Sequence, residues 1–407
     1  MFNLPLKNIR VIEFSHMVMG PTCGMVLGDL GAEVIKIEPL TGDRTRDLLG
    51  TGAGFFRTFN RNKKSFAVDL NQKEGREAVL QLIDQADVFI ENFKPGRMDK
   101  MGFSYDELSK RNPKLIYAAH KGFLEGPYDN RLALDEVVQM MAGLAYMTGP
   151  KNRPLRAGSS VNDIMGGMFG AIGVLAALYE RQQTGKGKDI QSALYENCVL
   201  LAAQHMQQYE ITGKAAEPMP NRISAWAIYD VFEFANHEQL FVAATGDEQW
   251  KVLCNILNLN DLLLDQSLQT NNDRVKQRPF LLEYFGKIFK EMDAHSFAEI
   301  LEKNQIPFAP IRKPEELFND IHLNKSGGLA QLQLEDNTFT NMPLLPITLN
   351  GQRLKPRQAI PRIGEHTYQI LQDLGYSNAQ IQHLIDAQVL RNDSRDSDSL
   401  QLRAANG

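Results

Sequence analysis

The sequence predicts an α/β protein, a doubly wound, Rossmann-like large domain joined to a smaller α+β domain. Three observations predict it. Short β-branched runs alternate with amphipathic segments through the first half of the chain, and a polar, Pro-bearing stretch, GKAAEPMPNRIS, then interrupts the pattern. Beyond that stretch two strand-like runs lie close together ahead of further helices.

Asn8 to Ser15 (NIRVIEFS) reads as the first strand. Pro21 suits the first turn of a helix running to about Gly31, and AEVIKIE supplies a second buried strand. FAVDL repeats the theme. Lys73 to Gln85 is amphipathic, DVFIEN is a strand, DELSKRN is helical and KLIYAAHKGF is one more strand. Leu134 to Thr148 reads as helical. From Ile164 to Gln183, IMGGMFGAIGVLAALYERQQ reads as a helix packed tightly inside the core, its glycines implying close backbone approach. KDIQSAL is a strand, and Glu196 to Thr212 a long helix ending at Gly213. WAIYDVFEF and QLFVAAT then form a hairpin-like pair, followed by helices over Asp247 to Leu257 and Pro279 to Lys303. Two strand-like segments fall between Gly328 and Asn350, and a helix pair covers His366 to Leu374 and Asn378 to Gln388. The resulting division is a large domain over 1–213, a linker over 214–226, a small domain over 227–325, and a return linker with the rest of the large domain over 326–390. Residues 391–407 lack apolar periodicity and are expected to be disordered.

With 407 residues, 43% hydrophobic and 23% charged, the chain can bury two cores. A net charge of -5 argues against nucleic acid or an anionic membrane as the main partner. Cys23, Cys198 and Cys254 stand alone, without a CxxC pair or metal-ligand spacing, so no metal site or disulfide framework is expected. The opening MFNLPLKNIRVIEFS lacks the apolar run of a signal peptide, and no run reaches the ~18 apolar residues of a membrane span. A cytoplasmic protein is expected.

Gly24, Gly28 and Gly31 do not spell GxGxxG and fall within and after the first helix, so a nicotinamide site is not supported. The strand end from Ser15 to Pro21 is still where an open α/β sheet binds ligands. His16 there reads either as a general base or as a structural histidine. Lys94, Arg97 and Lys100, after DVFIEN, read as phosphate ligands or as a solvated basic face. Asp163, preceded by SSVN and followed by a helical run, reads locally as an N-cap.

Several segments together go further. RVIEFSHMVMGP, LGAEVIKIEP, NRNKKSFAVDL, DVFIENFKPGRMDKMGF, NPKLIYAAHKGF, VNDIMGGMFGAIGVLAAL, ERQQTGKGKDIQSALYE, NQIPFAPI and GEHTYQILQDLGYS occur in one order from about Leu6 to Gln388. In these the chain resembles the family III (CaiB/BaiF) CoA-transferases, a group that includes formyl-CoA transferase. The resemblance implies an enzyme that moves coenzyme A from an acyl-CoA thioester to a free carboxylic acid. Asp163 would be the nucleophile, through aspartyl anhydride and aspartyl-CoA thioester intermediates. No tightly bound cofactor is implied; the acyl-CoA is a substrate. Near a helix start Asp163 is expected to stay ionised at neutral pH, with nearby backbone N–H groups steadying the oxyanions.

The resemblance carries CoA contacts to Asn92 and Phe93, to Val68, Lys100 and Glu136, and to Val18 and Met19 in the strand-end turn. Pro39 and Ala133 stand where formyl-CoA transferase has basic residues, which transfers phosphate contacts to Arg131, Lys94 or Arg97. The glycine-rich loop of that enzyme has no counterpart between Gly213 and Tyr229, which argues against formyl-CoA and oxalate. Arg222 and Trp226 in this stretch are candidates to hold and cover the acid's far end. The segment KGFLEGPYDNRLALDEVVQMMAGLAYMTG resembles members acting on small dicarboxylic or branched unsaturated acids such as mesaconate. An interlocked homodimer is implied, with neither nucleic acid nor membrane as partner. Two alternatives remain: an α-methylacyl-CoA racemase-like isomerase, whose histidine falls on Leu134 here, and a non-catalytic CoA-binding protein.

Overall fold

A computed structural model describes residues 3–222 and 224–393. In RVIEF, EVIKIE and VFIE apolar residues occupy both faces, which suits strands covered by helices on either side. They form β1 (Arg10–Phe14), β2 (Glu33–Glu38) and, after β3 (Lys63–Val68), β4 (Val88–Glu91). With β5 (Ile116–Lys121) and β6 (Lys188–Ala193) these make a parallel sheet of order β3-β2-β1-β4-β5-β6. Leu390–Arg391 adds an antiparallel edge beside β3. The sheet therefore takes in Arg391, where a disordered tail was expected to begin; residues 394–407 of that expected tail lie outside the described residues.

Chain order reverses between β1 and β4, so the crevice beyond their C-terminal ends is the topological switch point, the place where open α/β sheets take ligands. Helices α1 (Met19–Asp29), α2 (Lys73–Asp84), α3 (Arg97–Met101) and α4 (Tyr105–Arg111) connect the first five strands. Alternate strand residues feed two cores, Ile12, Ile35 and Phe89 on one face of the sheet and Val11, Val34 and Ile90 on the other.

The expected helix over 134–148 is two, α5 (Asp135–Met141) and α6 (Leu144–Thr148), parted where Gly143 takes φ +84°. There follow α7 (Val161–Thr184) and α8 (Leu194–Thr212), the latter ended by Gly213 at φ +66°. By length and composition α7 could cross a membrane. Its glycine face is instead laid on α1 and β5: a Cβ on Gly167 would sit 2.4 Å from the Met19 carbonyl oxygen, and one on Gly170 2.1 Å from His120 Nε2. Gly167→Ala is accordingly expected to cost about 1–3 kcal/mol, read as a lower Tm, because main chain cannot move aside by changing rotamer. The expectation of a helix wholly inside the core is corrected on the other side, where Met168, Ile172, Leu175 and Tyr179 form an exposed apolar stripe.

Two compact units divide the chain, one running to Ala216 and resuming at Ile321, the other Glu217–Asp320. The second holds an antiparallel sheet of β7 (Ile228–Glu233), β8 (Gln239–Ala244) and β9 (Phe308–Pro310). Its core gathers Phe232, Trp250, Leu281, Phe285, Phe289 and Phe297 beneath α9 (Asp247–Ile256), α10 (Arg278–Phe289) and α11 (Ala294–Lys303). One helix was expected over 279–303. It breaks because Asp293 leaves helical geometry and caps α11, accepting the Ser296 N–H at 2.8 Å.

Candidate active site

At the switch point β1 and β4 end side by side, Phe14 opposite Glu91. The connection Ser15–Val18 leads into α1, whose first residue is Met19. Across from it, Asn92 clasps His16 through both its N–H and its carbonyl, at 3.0 and 2.7 Å, and the Phe93 ring lies 5.2 Å from that of His16. Glu91 Oε2 accepts the Phe93 N–H at 2.8 Å, and burial pushes this carboxyl up to about 7.

Beneath this turn lies a fully buried ionic cluster. Lys36 Nζ donates to the Ser15 carbonyl at 2.6 Å and pairs with Asp43 at 2.9 Å. Lys63 Nζ reaches Glu13 at 2.8 Å, the Pro21 carbonyl at 2.9 Å and Asn60 Oδ1 at 3.1 Å; burial lowers its pKa to about 8. Buried charges persist only when paired and hydrogen-bonded, and here the pairing ties the start of α1 to β2 and β3.

Met19 also packs against Gly166 and Gly167, one turn along α7 from Asp163, and Ile164 packs on the cluster around Val18. Asp163 thus borders the crevice. It is the third residue of α7, not its cap; Ser160 precedes the helix without a side-chain cap bond. The capping carboxylate comes from α5. Asp135 Oδ2 accepts the N–H groups of both Asn162 and Asp163, each at 2.9 Å. Asp135 Oδ1 accepts from Gln139 Nε2, and Gln139 Oε1 takes the Ala157 N–H at 2.8 Å, so the acid is held from both sides.

This arrangement disfavours the ionised form of Asp163 that was expected to prevail. Burial, reinforced by the Asp135 charge, pushes the Asp163 carboxyl up to about 7. The helix N-terminal donors that were to favour its charge are already bound to Asp135. For the same reason the N–H groups of Asn162 and Asp163, with Ile164 bonded to the Ser160 carbonyl, are not available as oxyanion donors.

Residues 6–367 match the profile of CoA-transferase family III. The chain belongs to that family. A succinate–glutarate CoA-transferase of Agrobacterium fabrum is 34% identical over 91% of this chain and 96% of the relative. An acetyl-CoA:oxalate CoA-transferase of Acetobacter aceti is 34% identical over 85% of this chain and 90% of its own length. A CaiB/BaiF family crystal structure from Brucella suis superposes with a TM-score of 0.82 at 32% identity, covering 92% of this chain and all of that one. The protein is an acyl-CoA:carboxylate CoA-transferase.

In this family III transferase the crevice brings together Val18, Met19, Asn92 and Phe93. Val18 and Val68 have side chains sealed in the core, so only their main chain can meet a ligand. Val68 ends β3, two strands from β1. Lys94, Arg97 and Lys100 are exposed on the loop and short helix after β4. Arg131 lies over the Tyr128 ring at 5.0 Å, and Glu136 pairs with Arg156. Arg222 and Trp226 belong to the other unit, Arg222 against Met219 Sδ and Trp226 against the Tyr229 ring.

Sequence reasoning missed Asp135 and Gln139, which have no distinguishing local pattern, and the Glu13, Lys36 and Lys63 cluster. The latter had a signal: charged residues inside otherwise apolar strand runs must be paired if the strand is buried on both faces. Among the described residues no group of three or more His, Cys, Asp or Glu is placed to hold a metal ion.

Proposed function

We propose that Asp163 is the nucleophile of this transferase and that the acceptor is a small dicarboxylate. The observation that carries the first part is a half-buried carboxylate at the switch-point crevice whose anion is disfavoured by burial and by a second acid. An Asp163 oxygen attacks the donor thioester carbon, the C–S bond breaks, and CoA leaves as thiolate, giving an aspartyl anhydride. The thiolate then attacks the aspartyl carbonyl, the donor acid departs as carboxylate, and Asp163 holds CoA as a thioester. The acceptor carboxylate repeats these steps in reverse. Each acylation neutralises Asp163, which relieves the repulsion from Asp135.

The second part draws on the relatives, whose names specify succinate and glutarate, mesaconate, malate or oxalate. The oxalate enzyme returns oxalate to the candidate acceptors despite the missing glycine-rich loop. A panel of acyl-CoA donors with C2 to C6 mono- and dicarboxylates, read by mass spectrometry of the CoA esters, is expected to give product with dicarboxylates. Turnover confined to monocarboxylates would contradict this reading.

For CoA itself the proposed contacts are the main chain of Val18, Met19, Val68 and the Asn92–Phe93 strand end, with Glu136, and Lys94, Arg97, Lys100 or Arg131 for the phosphates. Leu134, an exposed residue just before α5, offers no base for α-proton exchange, so racemisation is disfavoured. The exposed stripe of α7 together with Leu200, Met206 and Ile211 on α8 supports a homodimer, to be read by light scattering. Three buried free cysteines fit a reducing cytoplasm.

A further inference from the structure

The turn from β1 to α1 carries a residue in a conformation its type disfavours. Met17 has φ +63°, the left-handed region that a non-glycine, non-asparagine residue rarely adopts. Its side chain is exposed, so burial does not offset the strain. Such strain persists only where the surroundings over-determine the backbone.

The surroundings here are specific. The β1–β4 ladder ends at the pair Phe14 and Glu91, after which the Asn92 N–H reaches the Phe14 carbonyl at 3.3 Å. Asn92 then uses its side chain where main chain would ordinarily continue. Its Oδ1 accepts the His16 N–H and its Nδ2 donates to the His16 carbonyl, so one side-chain amide engages both main-chain groups of His16. Lys36 fixes the preceding carbonyl, that of Ser15, from below. Gly20 completes the fit: a Cβ there would lie 2.6 Å from Ser15 Cβ and 3.1 Å from Asn92 Cγ.

We propose that Asn92 is a positioning residue for the acyl-CoA site, its amide engaging both main-chain groups of His16 to hold Met17 in its strained conformation. The ligand meets the shape of the turn, and both polar atoms of the Asn92 amide are engaged inside the protein. The inference rests on the reading that acyl-CoA occupies the switch-point crevice.

A double-mutant cycle in the full-length enzyme tests it, with CoA titrated by calorimetry and kcat and KM measured separately. Asn92→Ala is expected to weaken CoA binding and raise the acyl-CoA KM about tenfold with a much smaller change in kcat. Asparagine tolerates the left-handed region. In a Met17→Asn background the same Asn92→Ala change is therefore expected to cost only about twofold. Equal binding by Asn92→Ala and wild type, or an undiminished penalty in the Met17→Asn background, would overturn the proposal. Should Asn92→Ala not fold, Asn92→Asp keeps the acceptor for the His16 N–H and loses the donor. A raised KM supports the proposal in that variant, and an unchanged KM overturns it. Wild-type enzyme that binds no CoA would overturn the reading of the crevice as well.

Discussion

Asp163→Asn is expected to abolish CoA transfer and at the same time make the protein more stable at neutral pH. The first effect follows from loss of the attacking oxygen, and a fall in kcat of at least about 10⁴-fold is expected for a covalent nucleophile. The second follows from linkage. The folded protein raises this carboxyl from 3.8 to about 7, chiefly by burial and then by Asp135. Between those values the folded state holds the proton more tightly than the unfolded state, so stability falls as pH rises through that window. Above it the ionised carboxyl costs the fold on the order of a few kcal/mol, which the neutral amide does not incur. Thermal melts should show the variant ahead of wild type above pH 7, with the gap closing below about pH 4. An inactive variant whose Tm is lower at every pH would mean that Asp163 serves the fold.

Asp135→Asn is expected to move the acid limb of kcat/KM to lower pH and to reduce kcat about tenfold above that limb. In wild type, activity should rise as pH climbs through about 7, because only the ionised Asp163 attacks. Removing the neighbouring charge stabilises that anion, which lowers its pKa and removes repulsion that acylation would relieve. The amide also fits imperfectly. If its oxygen keeps the N–H groups of Asn162 and Asp163, its NH₂ faces Gln139 Nε2, and turning Gln139 over would forfeit the Ala157 N–H. A stability loss of about 1 kcal/mol is expected from that conflict. An unmoved acid limb in a folded Asp135→Asn enzyme would detach Asp135 from the nucleophile.

The parallel sheet was legible because its strands are continuous apolar runs between amphipathic helices, and the close approach along α7 because Gly167 and Gly170 stand where a Cβ would strike Met19 or His120. Breaks decided by single residues were less legible. Gly143 turns left-handed and Asp293 caps a new helix inside stretches whose apolar spacing runs on undisturbed. Asp163 was singled out as a candidate by the order of surrounding segments, since its own neighbourhood suggested only a cap. The upward push on its carboxyl was not legible for a physical reason: the acid that occupies its helix donors lies 28 residues away on α5, and only packing brings the two together. Glu136, carried over from the resemblance as a CoA contact, pairs with Arg156 at the surface.

The most direct test is to add acyl-CoA without acceptor, trap with borohydride or hydroxylamine, and map the product by peptide mass spectrometry. The expected result is modification of the peptide carrying Asp163, absent in Asp163→Asn. Full turnover with no trapped adduct at Asp163, or an adduct on another residue, would contradict the account.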